Sequence, residues 1–233
     1  MIMQESVTKP QEPAGEAFLC FFGHADLTPS PQLVASLTEG QQCRADKFKK
    51  SLRRNQHIWS RLMLLAMAKR LASSWGVSSV SVEERPPLAP LIHIGNKKLC
   101  SSVSHSGHRV ACLIASEPCA IDIERFDLDR PFKRYAEVAF SKDVAAALAK
   151  EEDEPRAFYC AWGAYECAVK LGRPREFLWL DHAPVIGELK VQAEIQDGWA
   201  CVTALSPTMA PLKKKELSVS DIDKTLSGGS AVW

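Results

Sequence analysis

The order strand, helices, strands is legible twice along this 233-residue chain, and that doubled order limits the folds open to it more than any other feature. In the first pass, residues 16–23 are a compact apolar and aromatic run that predicts a short buried strand. Periodicity after Pro31 predicts one or two short helices up to about residue 50, and a strong helix is expected over 55–74, with Ile58, Leu62, Leu65, Met67 and Leu71 apolar. Residues 77–82 alternate like a strand. ERPPLAP then breaks regular structure, because proline lacks an amide proton. Residues 99–103 and 109–115 read as strands around a tight Ser104-His105-Ser106-Gly107 turn.

The second pass opens with a strand over 119–124. Ser141 is placed to cap an alanine-rich helix reaching residue 150, and a helix over 154–171 is stopped by Gly172 ahead of Pro174. Asp197-Gly198 marks a hairpin between strands over 191–195 and 199–205. The expected class is α+β, in two similar halves over 16–116 and 117–208, although the length also suits one core. Residues 1–15 read as a flexible tail, and 209–233, with a Lys-Lys-Lys run and a Gly-Gly-Ser segment, as a peripheral one.

Charge decides what such a chain does not bind broadly. Lys plus Arg (29) nearly cancel Asp plus Glu (28), so no general basic field for nucleic acid exists and any anion site must be local. Eight cysteines stand singly, without a CxxC pair, and read as reduced core thiols. No run is long and apolar enough to suggest a signal peptide or membrane span, so the cytoplasm is the expected compartment.

Three motifs carry candidate chemistry. In Ala120-Ile121-Asp122-Ile123-Glu124, the strand period of two puts the isoleucines on one face and both carboxylates on the other, suiting a divalent cation. In Trp162-Gly163-Ala164-Tyr165-Glu166-Cys167-Ala168-Val169-Lys170, the helix period aligns Trp162, Glu166 and Lys170. In Val103-Ser104-His105-Ser106-Gly107, hydroxyls, a histidine and turn amides form a surface suited to phosphate oxygens. Taken alone, each also fits a plain structural role: a solvated acidic strand face, a surface Glu–Lys pair, a solvated turn histidine.

Taken in order, SVSHS, AIDIE, FS with a following helix, and WxxxExxxK resemble the 4'-phosphopantetheinyl transferases of the surfactin-synthetase-activating (Sfp) type, most densely over residues 84–170. The resemblance implies a pseudo-twofold fold of two similar α+β halves with the active site between them. It implies a Mg2+-dependent enzyme moving phosphopantetheine from coenzyme A to a serine of an apo acyl or peptidyl carrier protein, with release of adenosine 3',5'-bisphosphate. On this resemblance Asp122, Glu124 and Glu166 are the metal ligands, and Ser104 and His105 contact the diphosphate. Lys170 neutralises phosphate charge, Glu166, or a water held by it and the metal, takes the serine proton, and Arg85 approaches the nucleotide. Arg44, Arg54 and Arg61 are the candidates for the 3'-phosphate, and a monomer suffices. Phe126, Phe132, Lys133 and Arg134 are candidates for carrier contact.

The chain departs from the family pattern at two positions. Tyr165 stands where the family has a lysine, which removes a cation beside the site, and Val144 stands where FSxxE has glutamate, with Asp143 adjacent. Two rival functions follow: a non-catalytic coenzyme A-binding module, or a metal-dependent hydrolase cleaving a diphosphate with water.

Overall fold

Twenty-four residues of helix, Ser51–Ser74, form the spine of the first half, beginning ahead of the expected residue 55. This computed structural model describes residues 15–229. Ahead of the long helix (α3) come strand β1 (Ala17–Phe22) and the short helices α1 (Pro31–Val34) and α2 (Glu39–Asp46). A reciprocal Thr38–Gln41 capping box satisfies orphan amides at the start of α2. Strands β2 (Val80–Arg85), β3 (Leu88–Ile94), β4 (Lys97–Ser106) and β5 (Arg109–Ala115) follow. Phe18, Cys20 and Phe22 of β1 and Val110, Cys112 and Ile114 of β5 form one core with Ile58, Leu62, Met67 and Leu71 of α3. Leu65 of the expected stripe is only half-buried.

Strand alternation sends the intervening residues the other way. Ala17, Leu19, Ala111 and Leu113 meet Ile121, Ile123 and Leu205 of the second half in a separate cluster. That half contains β6 (Cys119–Arg125), α4 (Phe132–Ala139), α5 (Lys142–Leu148), α6 (Glu154–Lys170), β7 (Phe177–Leu180), β8 (Ala183–Ile186), β9 (Lys190–Gln196) and β10 (Trp199–Leu205). Ala120, Ala200, Val202 and Ala204 turn away from the first half and pack with Phe158, Ala161, Ala164 and Ala168 of α6. The layers therefore run helix, sheet, sheet, helix. The chain is mixed α+β, with seven helices and three sheets among the described residues. One sheet has six strands; the second half divides its strands into sheets of three and two.

Three local expectations are corrected. The SHSG segment is not a turn: β4 continues through Ser106, with Ser104 paired to Ala111 and His105 to Val110. Gly107, at φ 53°, makes the bend instead. ERPPLAP is not a simple break, because β2 runs to Arg85 and β3 resumes at Leu88, with Pro86 and Pro87 occupying the hairpin turn where no ladder amide is needed.

The third correction concerns residues 209–233, read as a peripheral tail. Within the described part, β11 (Lys213–Glu216) pairs parallel to β1, and α7 (Val219–Leu226) buries Ile222 in the α3 core. Buried Arg70 of α3 donates to Thr225 Oγ1 at 3.1 Å and to the Asp221 carbonyl at 3.3 Å, fixing α7 in place. The lysines on this edge strand oppose further strand addition. Residues 1–14 of the expected N-terminal tail lie outside the described residues, while Gly15 bridges to Met209. No helix among the described residues is long and apolar enough to cross a membrane.

A segment that belongs to the core carries stability. Ile222→Ala should destabilise the fold by about 2–4 kcal/mol, measured as a lower urea midpoint with unchanged slope. A peripheral segment would leave the midpoint unmoved.

Candidate functional site

Strand β6 pairs with β10 along one edge, leaving a second row of amides to be satisfied. Period-two serines on β4 do this. Ser102 Oγ accepts from Ile121 N at 3.1 Å, Ser104 Oγ from Ile123 N at 3.2 Å, and Ser106 Oγ from Arg125 N at 3.2 Å. Two of these hydroxyls also donate: Ser104 to Asp122 Oδ1 at 2.8 Å and Ser106 to Glu124 Oε2 at 2.9 Å. The seam between the halves thereby holds both strand carboxylates.

Helix α6 supplies the other wall. Asp153 caps its start and Gly172, at φ 73°, follows its end. Gly163 permits close approach to the sheet, since a Cβ there would come within 2.5 Å of Val202 Cγ2 and 3.7 Å of Asp122 Oδ2. Lys170, in the last turn, donates to Asp122 Oδ1 at 2.8 Å and to the Ile121 carbonyl at 2.7 Å. Ser104, His105, Asp122, Glu124, Glu166 and Lys170 line one cleft of roughly 350 Å³, together with Trp162 and Arg53.

The electrostatics of this cleft are unbalanced. Burial pushes the Glu166 carboxyl above its ordinary pKa, and the charge of Asp122 adds to the push against the opposing Lys170. Burial likewise raises Glu124; the Ser106 hydroxyl opposes this and Asp122 reinforces it. Asp122 itself is buried, and its Oδ2 has no hydrogen-bond partner. An orphaned carboxylate oxygen beside two acids that resist ionising is a donor set fitting a hard divalent cation. Among the described residues, however, no group of three or more His, Cys, Asp or Glu is arranged to hold a metal.

None of the four arginines selected from sequence lines this cleft. Arg61 is buried and forks onto Glu84 at 2.8 and 2.9 Å, so its charge is already paired. Beside it, burial and the Arg61 charge push the His57 pKa down to about 4, with Arg44 contributing. Arg54 pairs with Asp46 at 3.0 Å. Arg85 Nη2 donates to the Ala89 carbonyl at 3.2 Å, while its buried Nε has no partner.

Both departures from the motif pattern have structural homes. Tyr165 lies edge-on to Phe140 and Phe177, at 5.8 and 5.7 Å, away from the carboxylate cleft. Val144 is buried in the second-half core, and its amide is capped by Ser141. Arg53, by contrast, was one of many basic residues in its segment, and nothing in the spacing singles it out. Ser106, named in the SVSHSG motif, lies two residues from Ser104 and so on the same face of β4.

No family model matches this chain, and no curated protein matches it.

A carboxyl that holds its proton more tightly folded than unfolded contributes stability at low pH and loses it as pH rises through the folded value. Glu166 is of this kind. In metal-free buffer Glu166→Gln should therefore melt higher than wild type near pH 8, with the gap closing towards about pH 4, where both side chains are neutral. Thermal melts across that range check it; a gap independent of pH contradicts the strained carboxylate.

Proposed function

We propose that this chain transfers the 4'-phosphopantetheine group of coenzyme A to a serine hydroxyl of an apo carrier protein, acyl or peptidyl. The observation supporting this most directly is the unpartnered buried Asp122 Oδ2, in a cleft shared with Glu124, Glu166, Lys170 and His105. Motif order supplies the substrates, and the two α+β layers enclosing the cleft are compatible with pseudo-twofold halves around an active site. One chain contributes every cleft residue, so a monomer suffices.

In this reading, Asp122, Glu124 and Glu166 would hold Mg2+, which when bound would supply Lewis-acid polarisation and neutralise phosphate charge. The serine oxygen attacks the β-phosphorus, and the bond to the bridging oxygen of the α-phosphate breaks, releasing adenosine 3',5'-bisphosphate. Glu166, whose raised proton affinity suits a base, takes the serine proton. Lys170 and His105 stabilise charge on the phosphate oxygens, and Ser104 orients Asp122 through its 2.8 Å bond. Arg85 and Arg44 are where the nucleotide end and its 3'-phosphate would extend, and Arg61 and Arg54 are weaker candidates because Glu84 and Asp46 engage them.

Incubation with coenzyme A, Mg2+ and an apo-carrier domain should add one phosphopantetheine to the carrier, read by intact-protein mass spectrometry. Asp122→Ala should lower the transfer rate by about two orders of magnitude or more while the fold persists. Full activity of that variant refutes the metal assignment. Release of phosphopantetheine without carrier would instead identify a hydrolase, and coenzyme A binding without either reaction a binding module.

A further inference from the structure

Gly163 sits in the interior of α6, where glycine weakens a helix relative to alanine, so its place there needs a reason outside the helix. The reason lies in the sheet beneath it. Val202 of β10 is the register partner of Asp122 on β6, and both are buried. A Cβ on Gly163 would lie 2.5 Å from Val202 Cγ2 and 2.9 Å from Val202 Cβ. The second of these atoms is bonded to the backbone and cannot rotate away, and Val202 is packed to 1% exposure, so helix and strand would have to part. One turn on, Cys167 Sγ donates to the Val202 carbonyl at 3.5 Å and holds the same helix face against the same rung.

Positions 163, 166, 167 and 170 share that face of α6. Glu166 and Lys170 therefore reach the cleft from a helix whose height above the sheet is set at Gly163. Lys170 meets Asp122 Oδ1 at 2.8 Å and the Ile121 carbonyl at 2.7 Å, contacts that tolerate little added separation. The added carbon would also stand 3.7 Å from Asp122 Oδ2, the carboxylate oxygen that has no hydrogen-bond partner.

We propose that Gly163 is a positioning residue: its contact with Val202 sets the distance from α6 to β6, and with it the placement of Lys170 and Glu166 about Asp122. The spacing is independent of the reaction; a divalent cation at these carboxylates rests on the transferase reading.

The Lys170–Asp122 contact reports the spacing without metal or substrate. A double-mutant cycle of Lys170→Met and Asp122→Asn, taken from urea midpoints, should show coupling in the wild-type background and none in Gly163→Ala. Val202→Ala removes the nearer clashing atom, so in the Gly163→Ala background it should restore part of the coupling. Alone, Val202→Ala loses core packing without adding a clash and should lower the midpoint yet keep the coupling. Should Gly163→Ala fail to fold, adding Val202→Ala should restore folding. Titration with Mn2+ alone, followed by loss of the free-ion electron paramagnetic resonance signal, should show affinity about tenfold lower in Gly163→Ala and partly regained in the double variant.

Absent coupling in wild type, or undiminished coupling in Gly163→Ala, overturns the proposal. So does a Val202→Ala change that restores neither coupling nor folding in that background. Loss of coupling in Val202→Ala alone also overturns it, because any damage to the core would then act as Gly163→Ala does. The same holds if wild type binds Mn2+ and Gly163→Ala binds it equally well. Coupling that follows Gly163 in a protein that binds no Mn2+ supports the spacer and counts against the transferase reading alone.

Discussion

Three serine hydroxyls hold the two halves of this molecule in register. Ser102, Ser104 and Ser106 accept the amides of Ile121, Ile123 and Arg125, so the second edge of β6 is satisfied by side chains of β4 instead of another strand. A side chain with one proton and two lone pairs can accept and donate together. Ser104 and Ser106 do so, and their donated bonds end on Asp122 and Glu124. The device that joins the halves is thus the device that orients the acids, and displacement along the seam would disturb both.

The apolar contacts reinforce this coupling. Ile121 and Ile123 turn into the inter-half cluster with Leu19 and Leu113, while Ala120 faces the α6 core. Small residues keep α6 close to the sheet, and Gly163 has no room for even one added carbon. Lys170 can then span from the helix end to Asp122 and the Ile121 carbonyl, and its charge only partly offsets the burial that leaves Glu124 and Glu166 with raised proton affinity. The cleft thus carries carboxylates at its base and the cations Lys170 and Arg53 on its walls.

Cations elsewhere on the molecule are less available than their number suggests. Arg61 is neutralised by Glu84, Arg54 by Asp46, and Arg70 is consumed in anchoring α7. Arg53, whose partners among the described residues are Gln56 and His105, differs from them in this respect. Sequence composition cannot separate these cases, because availability depends on which acid lies opposite in space.

Periodicity carried much of the local structure. Alternation in AIDIE placed isoleucines and carboxylates on opposite faces, helical spacing put Trp162, Glu166 and Lys170 on one stripe, and Asp197-Gly198 marked the β9–β10 hairpin. These patterns are local, and each is enforced by backbone geometry within a few residues. Tertiary contacts decided the rest: that SHSG continues a strand, because its hydroxyls meet β6; that the C-terminal segment completes the first sheet, because β1 had a free edge; and that Arg53 faces the cleft while Arg61 does not. In each of these cases the deciding partner lies many residues away in the chain, so no nearby spacing could reveal it.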